Sequence, residues 1–288
     1  MLVKEMIKEG EIRLMRAHCM DAKIDAEQLY YHMTGTDRVG LFLRANQEAD
    51  EETQEKYFEL IRRREQRIPL QHITGTQEFM GLEFEVNPDV LIPRQDTEIL
   101  VEEAAKIIHG SNPRVRSRAS WKVLDLCCGS GAIGVSLARI CDNVKITCAD
   151  YSQPALDTAQ RNAEKNRVKI RFRQGDLFGA VGRRKYDMIV SNPPYIRTQM
   201  IPILQDEVKV HEPMMALDGG EDGLVFYRRI IEEAKNHLRK NGVLIFEIGH
   251  DQAEEVTELI QATGAFTKVH VVKDLPGHDR VVYAETLY

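Results

Sequence analysis

The chain has 288 residues, of which 43% are hydrophobic and 29% charged, and a formal net charge of -6. That length allows one large domain or two smaller ones, and the composition is ordinary for a soluble globular enzyme. The acidic balance argues against a dedicated DNA-binding protein, which would carry a basic excess or stripe. No apolar run approaches a membrane span, and Met1-Leu2-Val3-Lys4-Glu5-Met6 lacks the apolar core of a signal peptide. Five cysteines form no disulfide framework, so a reducing, cytoplasmic setting is expected. Neither Cys19 nor Cys141 completes a zinc pattern with Cys127-Cys128, and no metal is expected.

Residues 1–70 read as helices. Apolar positions at Val3, Ile7, Leu14 and Met15 predict a helix over 3–17, and a second is expected over 26–33 with Gly35 as its stop. Asp37 caps a short helix carrying Leu41, Leu43 and Ala45. A longer amphipathic helix over 51–67 carries Tyr57, Leu60 and Ile61 and ends before Pro69. Its Arg62-Arg63-Arg64 run, beside Glu59 and Glu65, reads as a solvated face. Alternation around Gly81 then predicts a β-hairpin.

From Thr97 onward, helices and strands alternate. A helix over 97–109 precedes a loop rich in Ser, Asn, Pro and Arg. Strands are expected at 122–126, 144–149, 168–173, 186–191 and 242–248. Helices are expected at 132–140, 153–166, 222–239 and 251–263. Strands over 266–273 and 281–287, joined by a Pro-Gly turn, close the chain. The fold class is α/β: a Rossmann-like, doubly wound, mostly parallel sheet with an antiparallel C-terminal edge pair, plus a small N-terminal helical bundle. The expected division is a helical domain at 1–72, a hairpin linker at 73–93 and the α/β domain at 94–288.

Two strand ends carry chemistry. The first strand of the α/β domain runs into Cys127-Cys128-Gly129-Ser130-Gly131, a glycine turn of the kind that binds nucleotide-like ligands in open α/β sheets. Gly129, Gly131 and Gly134 satisfy the dinucleotide fingerprint, and Asp150 follows at the expected distance, so a nicotinamide enzyme enters consideration. Asp125 tilts the reading toward S-adenosylmethionine. A carboxylate there suits a cationic ligand, directly or through water, better than a pyrophosphate. Asp150 would accept from ribose hydroxyls, and Asp176, before Leu177, from an adenine amino group. The second strand end is Asn192-Pro193-Pro194-Tyr195. Its asparagine oxygen and a proline carbonyl can each accept one N–H of a planar NH2 group, and the tyrosine ring can cover that plane.

Together these residues resemble the class I S-adenosylmethionine-dependent methyltransferases and, more narrowly, the bacterial release factor glutamine methyltransferases. The likeness runs through the helical N-terminal part, Gly75-Thr76-Gln77-Glu78-Phe79 and Val90-Leu91-Ile92-Pro93-Arg94-Gln95-Asp96-Thr97-Glu98. It continues at Leu217-Asp218-Gly219-Gly220-Glu221-Asp222-Gly223-Leu224, Phe246-Glu247-Ile248-Gly249 and Asp279-Arg280-Val281-Val282. The family has Gly-Thr where this chain has Cys127-Cys128, and proline at the position of Gln95.

The resemblance implies methyl transfer from S-adenosylmethionine, leaving S-adenosylhomocysteine, to the side-chain nitrogen of the Gly-Gly-Gln glutamine of class I peptide release factors. It implies Asn192, Pro193 and Tyr195 as catalytic, with Pro194 joining them in substrate binding. Cofactor contacts are expected from Asp125, Cys127, Cys128, Gly129, Ser130, Gly131, Asp150, Asp176, Leu177 and Asn192. The helical domain is expected to dock the protein substrate. No nucleic acid or membrane partner is expected, and the chain is expected to act as a monomer. Glu247 reads as a structural hydrogen-bonding group and His211-Glu212-Pro213 as a loop-ordering segment. A glutamine on a ribosomal protein and an amino-adenine of DNA are the alternative acceptors. A nicotinamide dehydrogenase and a non-catalytic cofactor-binding scaffold are the readings from other classes.

Overall fold

The computed structural model describes residues 1–110 and 120–287. The Ser-, Asn-, Pro- and Arg-rich loop expected after the 97–109 helix lies outside the described residues. In chain order the elements are α1 (Val3–Arg16), α2 (Ala22–Thr34), α3 (Arg38–Arg44), α4 (Glu51–Glu65) and α5 (Leu70–Thr74), then β1 (Thr76–Phe79), β2 (Leu82–Glu85), α6 (Gln95–His109), β3 (Trp121–Leu126), α7 (Ala132–Ile140) and β4 (Val144–Asp150). They continue with α8 (Gln153–Lys165), β5 (Arg171–Gln174), β6 (Tyr186–Ser191), α9 (Asp206–Lys209), α10 (Val225–His237), β7 (Leu238–Glu247), α11 (Ala253–Ala262), β8 (His270–Lys273) and β9 (Asp279–Glu285). Two compact units result: Met1–Thr76 with Gln205–His211, and Gln77–Leu204 with Glu212–Tyr288.

In the first unit, Gly35 takes the left-handed conformation that ends α2, and Asp37 and Asp50 accept backbone N–H groups to cap α3 and α4. The core gathers Met6, Leu14, Leu29, Tyr57 and Ile61. Arg64 departs from the solvated face expected for its cluster. It is buried and ion-paired to Asp25 at 2.7 Å and to Glu207 at 2.9 Å. Glu207 comes from the 205–211 segment, far along the chain, so helical periodicity around Arg64 could not reveal the pair.

In the second unit, β1 and β2 form the expected hairpin. Met80 and Gly81 both have positive φ, as a two-residue turn matched to strand twist requires, and Glu98 Oε1 accepts from the Met80 N–H. The main sheet, among the described residues, has seven strands in the order β5-β4-β3-β6-β7-β9-β8. The first five run parallel, and β9 is antiparallel to both β7 and β8. Strand alternation explains the near-continuous apolar runs. Val123, Met188, Val190, Val243 and Ile245 pack into one core, and Leu124, Leu126, Ile189, Leu244 and Phe246 into the other. Several boundaries differ from expectation: α2 begins at Ala22, β5 at Arg171 and β8 at His270, and α10 stops at His237 with β7 starting at Leu238. Register then jumps from Tyr186↔Leu238 to Met188↔Val243 around a positive-φ Asn241. The irregularity separates Leu238 from the regular strand expected at 242–248.

Candidate active site

The sheet reverses its winding between β3 and β6. From β3 the chain moves to β4 and β5 on one side, and β6 leads to β7 on the other. Ligands bind at such a switch point because the two loops diverge there and leave a crevice. Register sets the residues at its floor. Leu126 pairs with Ser191, so Cys127 and Asn192 are the next residues on adjacent strands. The Ser191 hydroxyl donates to the Leu126 carbonyl at 2.6 Å, tying the two strand ends together.

A cavity of about 390 Å³ opens there. Its lining includes Cys127, Cys128, Gly129, Ser130, Asp150, Asp176, Leu177, Asn192 and Pro194 among the sequence-expected residues. Gly129 has φ 51° and donates its N–H to Asp150 Oδ2 at 2.8 Å, while Ser152 N–H donates to Asp150 Oδ1 at 2.9 Å. Burial pushes the Asp150 carboxyl up from its ordinary value, and these backbone donors oppose the shift. Asp176 lies just past the end of the neighbouring strand, where the Gly175 N–H donates to the Asp150 carbonyl at 3.0 Å, and pairs with Arg229 at 2.6 Å. Cys127 holds φ 62° without being glycine, a strained backbone at the cavity floor.

Asp125, Gly131, Pro193 and Tyr195 do not line the cavity. Asp125 is fully buried beneath the loop, where Oδ2 accepts the Gly134 N–H at 2.8 Å and Oδ1 has no hydrogen-bond partner. Burial pushes its carboxyl up to about 7, against the pull of the Gly134 N–H. It braces the start of α7 from beneath the cavity, whereas the sequence suggested a contact with a cationic ligand, directly or through water. Gly131 has φ 77° at the helix entry, with Ala159 against it. Pro193 is buried, and among the described residues no backbone hydrogen bond ends on its carbonyl. The Tyr195 ring packs on the β6–β7 core, and its hydroxyl donates to Glu247 Oε1 at 3.2 Å. In this geometry it covers core and not an open amide plane.

Other lining residues escaped the sequence reading of the site. Thr97, in the first turn of α6, accepts from Asn192 Nδ2 at 3.3 Å. Leu91, Pro93 and Arg94 form one wall, and Pro213, Met215 and Ala216 another. Glu212 fastens the first wall: its Oε1 accepts the Ile92 N–H at 3.3 Å and its Oε2 the Arg94 Nη2 at 2.6 Å. Burial raises the Glu212 carboxyl and Arg94 pulls it back. Phe226, from α10, adds an aromatic face. The 90–98 linker was visible as a motif, but nothing local marked Met215 or Phe226.

A constraint also comes from the glycine-rich segment. A Cβ on Gly219 would lie 2.7 Å from Tyr195 Cα and 2.8 Å from the Pro194 carbonyl oxygen. Backbone passes so close because the Ile196 N–H donates to the Leu217 carbonyl and the Gly219 N–H donates to the Ile196 carbonyl. Gln252 Nε2 adds a bond to the Tyr195 carbonyl at 3.0 Å.

A doubly wound sheet with this cavity, a glycine turn after its first parallel strand and an Asn-Pro-Pro-Tyr end on the adjacent one defines a class I methyltransferase domain. Residues 110–216 match the family model for the methyltransferase small domain, and residues 5–75 that for the PrmC N-terminal domain. A methyltransferase from Pyrococcus furiosus shares the fold, with a TM-score of 0.53 at 21% identity over 72% of this chain and 89% of that one. A release factor glutamine methyltransferase of Clostridium botulinum is 39% identical over 99% of both chains. That of Clostridium acetobutylicum is 42% identical over 90% of each. The chain belongs to the release factor glutamine methyltransferase family. Among the described residues no helix is long and apolar enough to cross a membrane.

Proposed function

We propose that this enzyme methylates the side-chain amide nitrogen of the Gly-Gly-Gln glutamine in class I peptide release factors, using S-adenosylmethionine. The observation that carries the reading is the register that puts Asn192 beside the glycine turn, at the floor of one cavity. The cofactor supplies an electrophilic methyl group on a sulfonium. Asp150 would hold its ribose hydroxyls, Asp176 its adenine amino group, and Cys127, Cys128, Gly129 and Ser130 its amino-acid end. The residues fit such a group: Asp150 lines the cavity and accepts one backbone N–H on each oxygen, which leaves each oxygen further acceptor capacity, and Leu177, Ile133 and Phe226 give the cavity apolar walls.

An amide nitrogen is a weak nucleophile because its lone pair is delocalised into the carbonyl. Orientation therefore matters more than a strong base. Asn192 Oδ1 and the Pro193 carbonyl would accept the two amide hydrogens and hold the nitrogen in line for attack, which lowers the entropic barrier. The same oxygens stabilise positive charge developing on that nitrogen. The first unit would dock the protein substrate. Its support is the exposed apolar run Val39, Phe42 and Leu43 on α3.

Incubation with labelled S-adenosylmethionine and a release factor, a ribosomal protein or DNA tests the reading. Label confined to the glutamine of a Gly-Gly-Gln fragment is the expected result, and label only in one of the other acceptors would refute it. Phe42→Asp should raise KM for the intact release factor and leave methylation of a short Gly-Gly-Gln peptide unchanged. Unaltered kinetics on the intact factor would remove the docking role from α3.

A further inference from the structure

We infer that Thr97 is a positioning residue: set between the buried Glu247 carboxylate and Asn192, its hydroxyl takes the Asn192 Nδ2–H and so turns Asn192 Oδ1 toward the acceptor. The inference rests on the glutamine-methylating reading and adds what decides the direction of the asparagine amide.

An asparagine side chain has two faces of nearly equal shape, one an acceptor and one a double donor. Only the acceptor face can receive an N–H of a substrate amide. Turned the other way, it would present its own N–H groups to that NH2. Something fixed must therefore choose between the two orientations. A hydroxyl alone cannot choose, since it can donate or accept. A hydroxyl committed to a carboxylate can only accept from its other neighbour, because an ionised carboxylate has no proton to give.

Those parts are in place. Thr97 is 5% exposed and Glu247 2% exposed, so water does not compete freely for either. Asn192 Nδ2 lies 3.3 Å from Thr97 Oγ1. Glu247 Oε1 accepts from Tyr195, while Oε2 is buried with no hydrogen-bond partner. Burial pushes the Glu247 carboxyl up from its ordinary value, and the neighbouring Thr97 hydroxyl, then Arg280 and Tyr195, oppose that shift. Tyr227 holds the strand end by donating to the Glu247 carbonyl at 2.8 Å. Glu247 thus anchors two partners of the same strand end: Tyr195 directly, and Asn192 through Thr97.

The test compares Thr97→Val and Thr97→Ser in the full-length enzyme with an intact release factor. Valine keeps the shape and removes the hydroxyl, whereas serine keeps the hydroxyl. Thr97→Val should lower kcat about 10- to 100-fold, the scale of a misaligned reacting group, with cofactor affinity and unfolding midpoint near wild type. Thr97→Ser should restore most of the loss. Glu247→Gln should lower kcat in the same manner, because an amide can donate to Thr97 and release its proton toward Asn192. A fully active Thr97→Val, or a Thr97→Ser as impaired as valine, would overturn the inference. So would a loss of cofactor affinity matching the loss of kcat, which would mark a merely structural role. Should valine fail to fold, Thr97→Ala carries the same comparison. A wild-type enzyme that left the release factor unmethylated would overturn the functional reading itself, and this role with it. An active wild type beside an unaffected Thr97→Val would overturn the positioning role alone.

Discussion

The helical unit and the sheet unit both bury charge, and the helical cluster pairs every member whereas two carboxylates of the sheet unit each leave one oxygen unpaired. In the helical unit, Asp25, Arg64 and Glu207 satisfy one another, and Arg67 adds a second arginine to Glu207. Burial pushes Glu207 up, but Arg67 and Arg64 more than compensate and hold it below its ordinary value. In the sheet unit, Asp125 Oδ1 and Glu247 Oε2 are buried carboxylate oxygens without partners. Both carboxyls are pushed up by burial. A buried, unpaired polar atom costs about 1–3 kcal/mol, so it persists where something other than stability holds it. Here one braces the glycine turn and the other stands behind Asn192 and Tyr195. The difference separates charge buried for cohesion from charge buried beneath the proposed reaction centre.

The contrast can be broken by substitution, beginning with the largest effect. Asn192→Ala should cut turnover about 100- to 1,000-fold, since it removes the acceptor proposed to face developing charge. Cofactor affinity, read by equilibrium binding, should stay near wild type, and an active variant would end the proposed chemistry. In the helical unit, Arg64→Leu strands Asp25, leaves Glu207 to Arg67 alone and should cost about 3 kcal/mol of stability by denaturant unfolding. Cofactor affinity should be spared. A neutral Arg64→Leu would show that the buried cluster contributes nothing to cohesion.

Gly219→Ala sharpens the comparison within the sheet unit. Its Cβ meets backbone at Tyr195 and Pro194, which cannot rotate away. A shift of the Asn-Pro-Pro-Tyr segment should lower kcat about tenfold, with a smaller change in unfolding midpoint. The smallest effect is a pH dependence. The Asp125 carboxyl sits at about 7 in the folded chain, raised from 3.8. The folded state therefore holds that proton more tightly than the unfolded state. The resulting stability is fully present below 3.8 and is lost as pH rises through about 7. Asp125→Asn does not titrate, so its unfolding midpoint relative to wild type should climb between pH 4 and pH 7. A difference constant across that window would mean that Asp125 is not the titrating group.

Much of the sheet unit was legible because each strand end carried its own local signal. Short apolar runs marked the parallel strands, and glycines marked the turn at 129–131. Asn192-Pro193-Pro194-Tyr195 stood out by residue type. The helical unit announced its helices by periodicity and by the cap at Asp37. It hid the short helix α5, which falls between Pro69 and Gly75 where a terminator and a hairpin start were expected. Arg64 misled for a related reason. A basic run on an amphipathic helix looks solvated until a distant segment supplies its carboxylate.

By itself, the sequence determined the alternation of elements, the type of sheet and the residues at both strand ends of the cavity, because these depend on neighbours along the chain. Tertiary structure alone decided which carboxylates face the cavity and which lie beneath it. Asp150 and Asp125 both sit at strand ends in sequence, yet one meets the ligand space and the other the start of α7. It alone brought Thr97 to Asn192 across 95 residues of chain and Glu247 to Tyr195 across 52. Hydrogen bonds between such distant residues follow from strand order and register, and no local pattern encodes them.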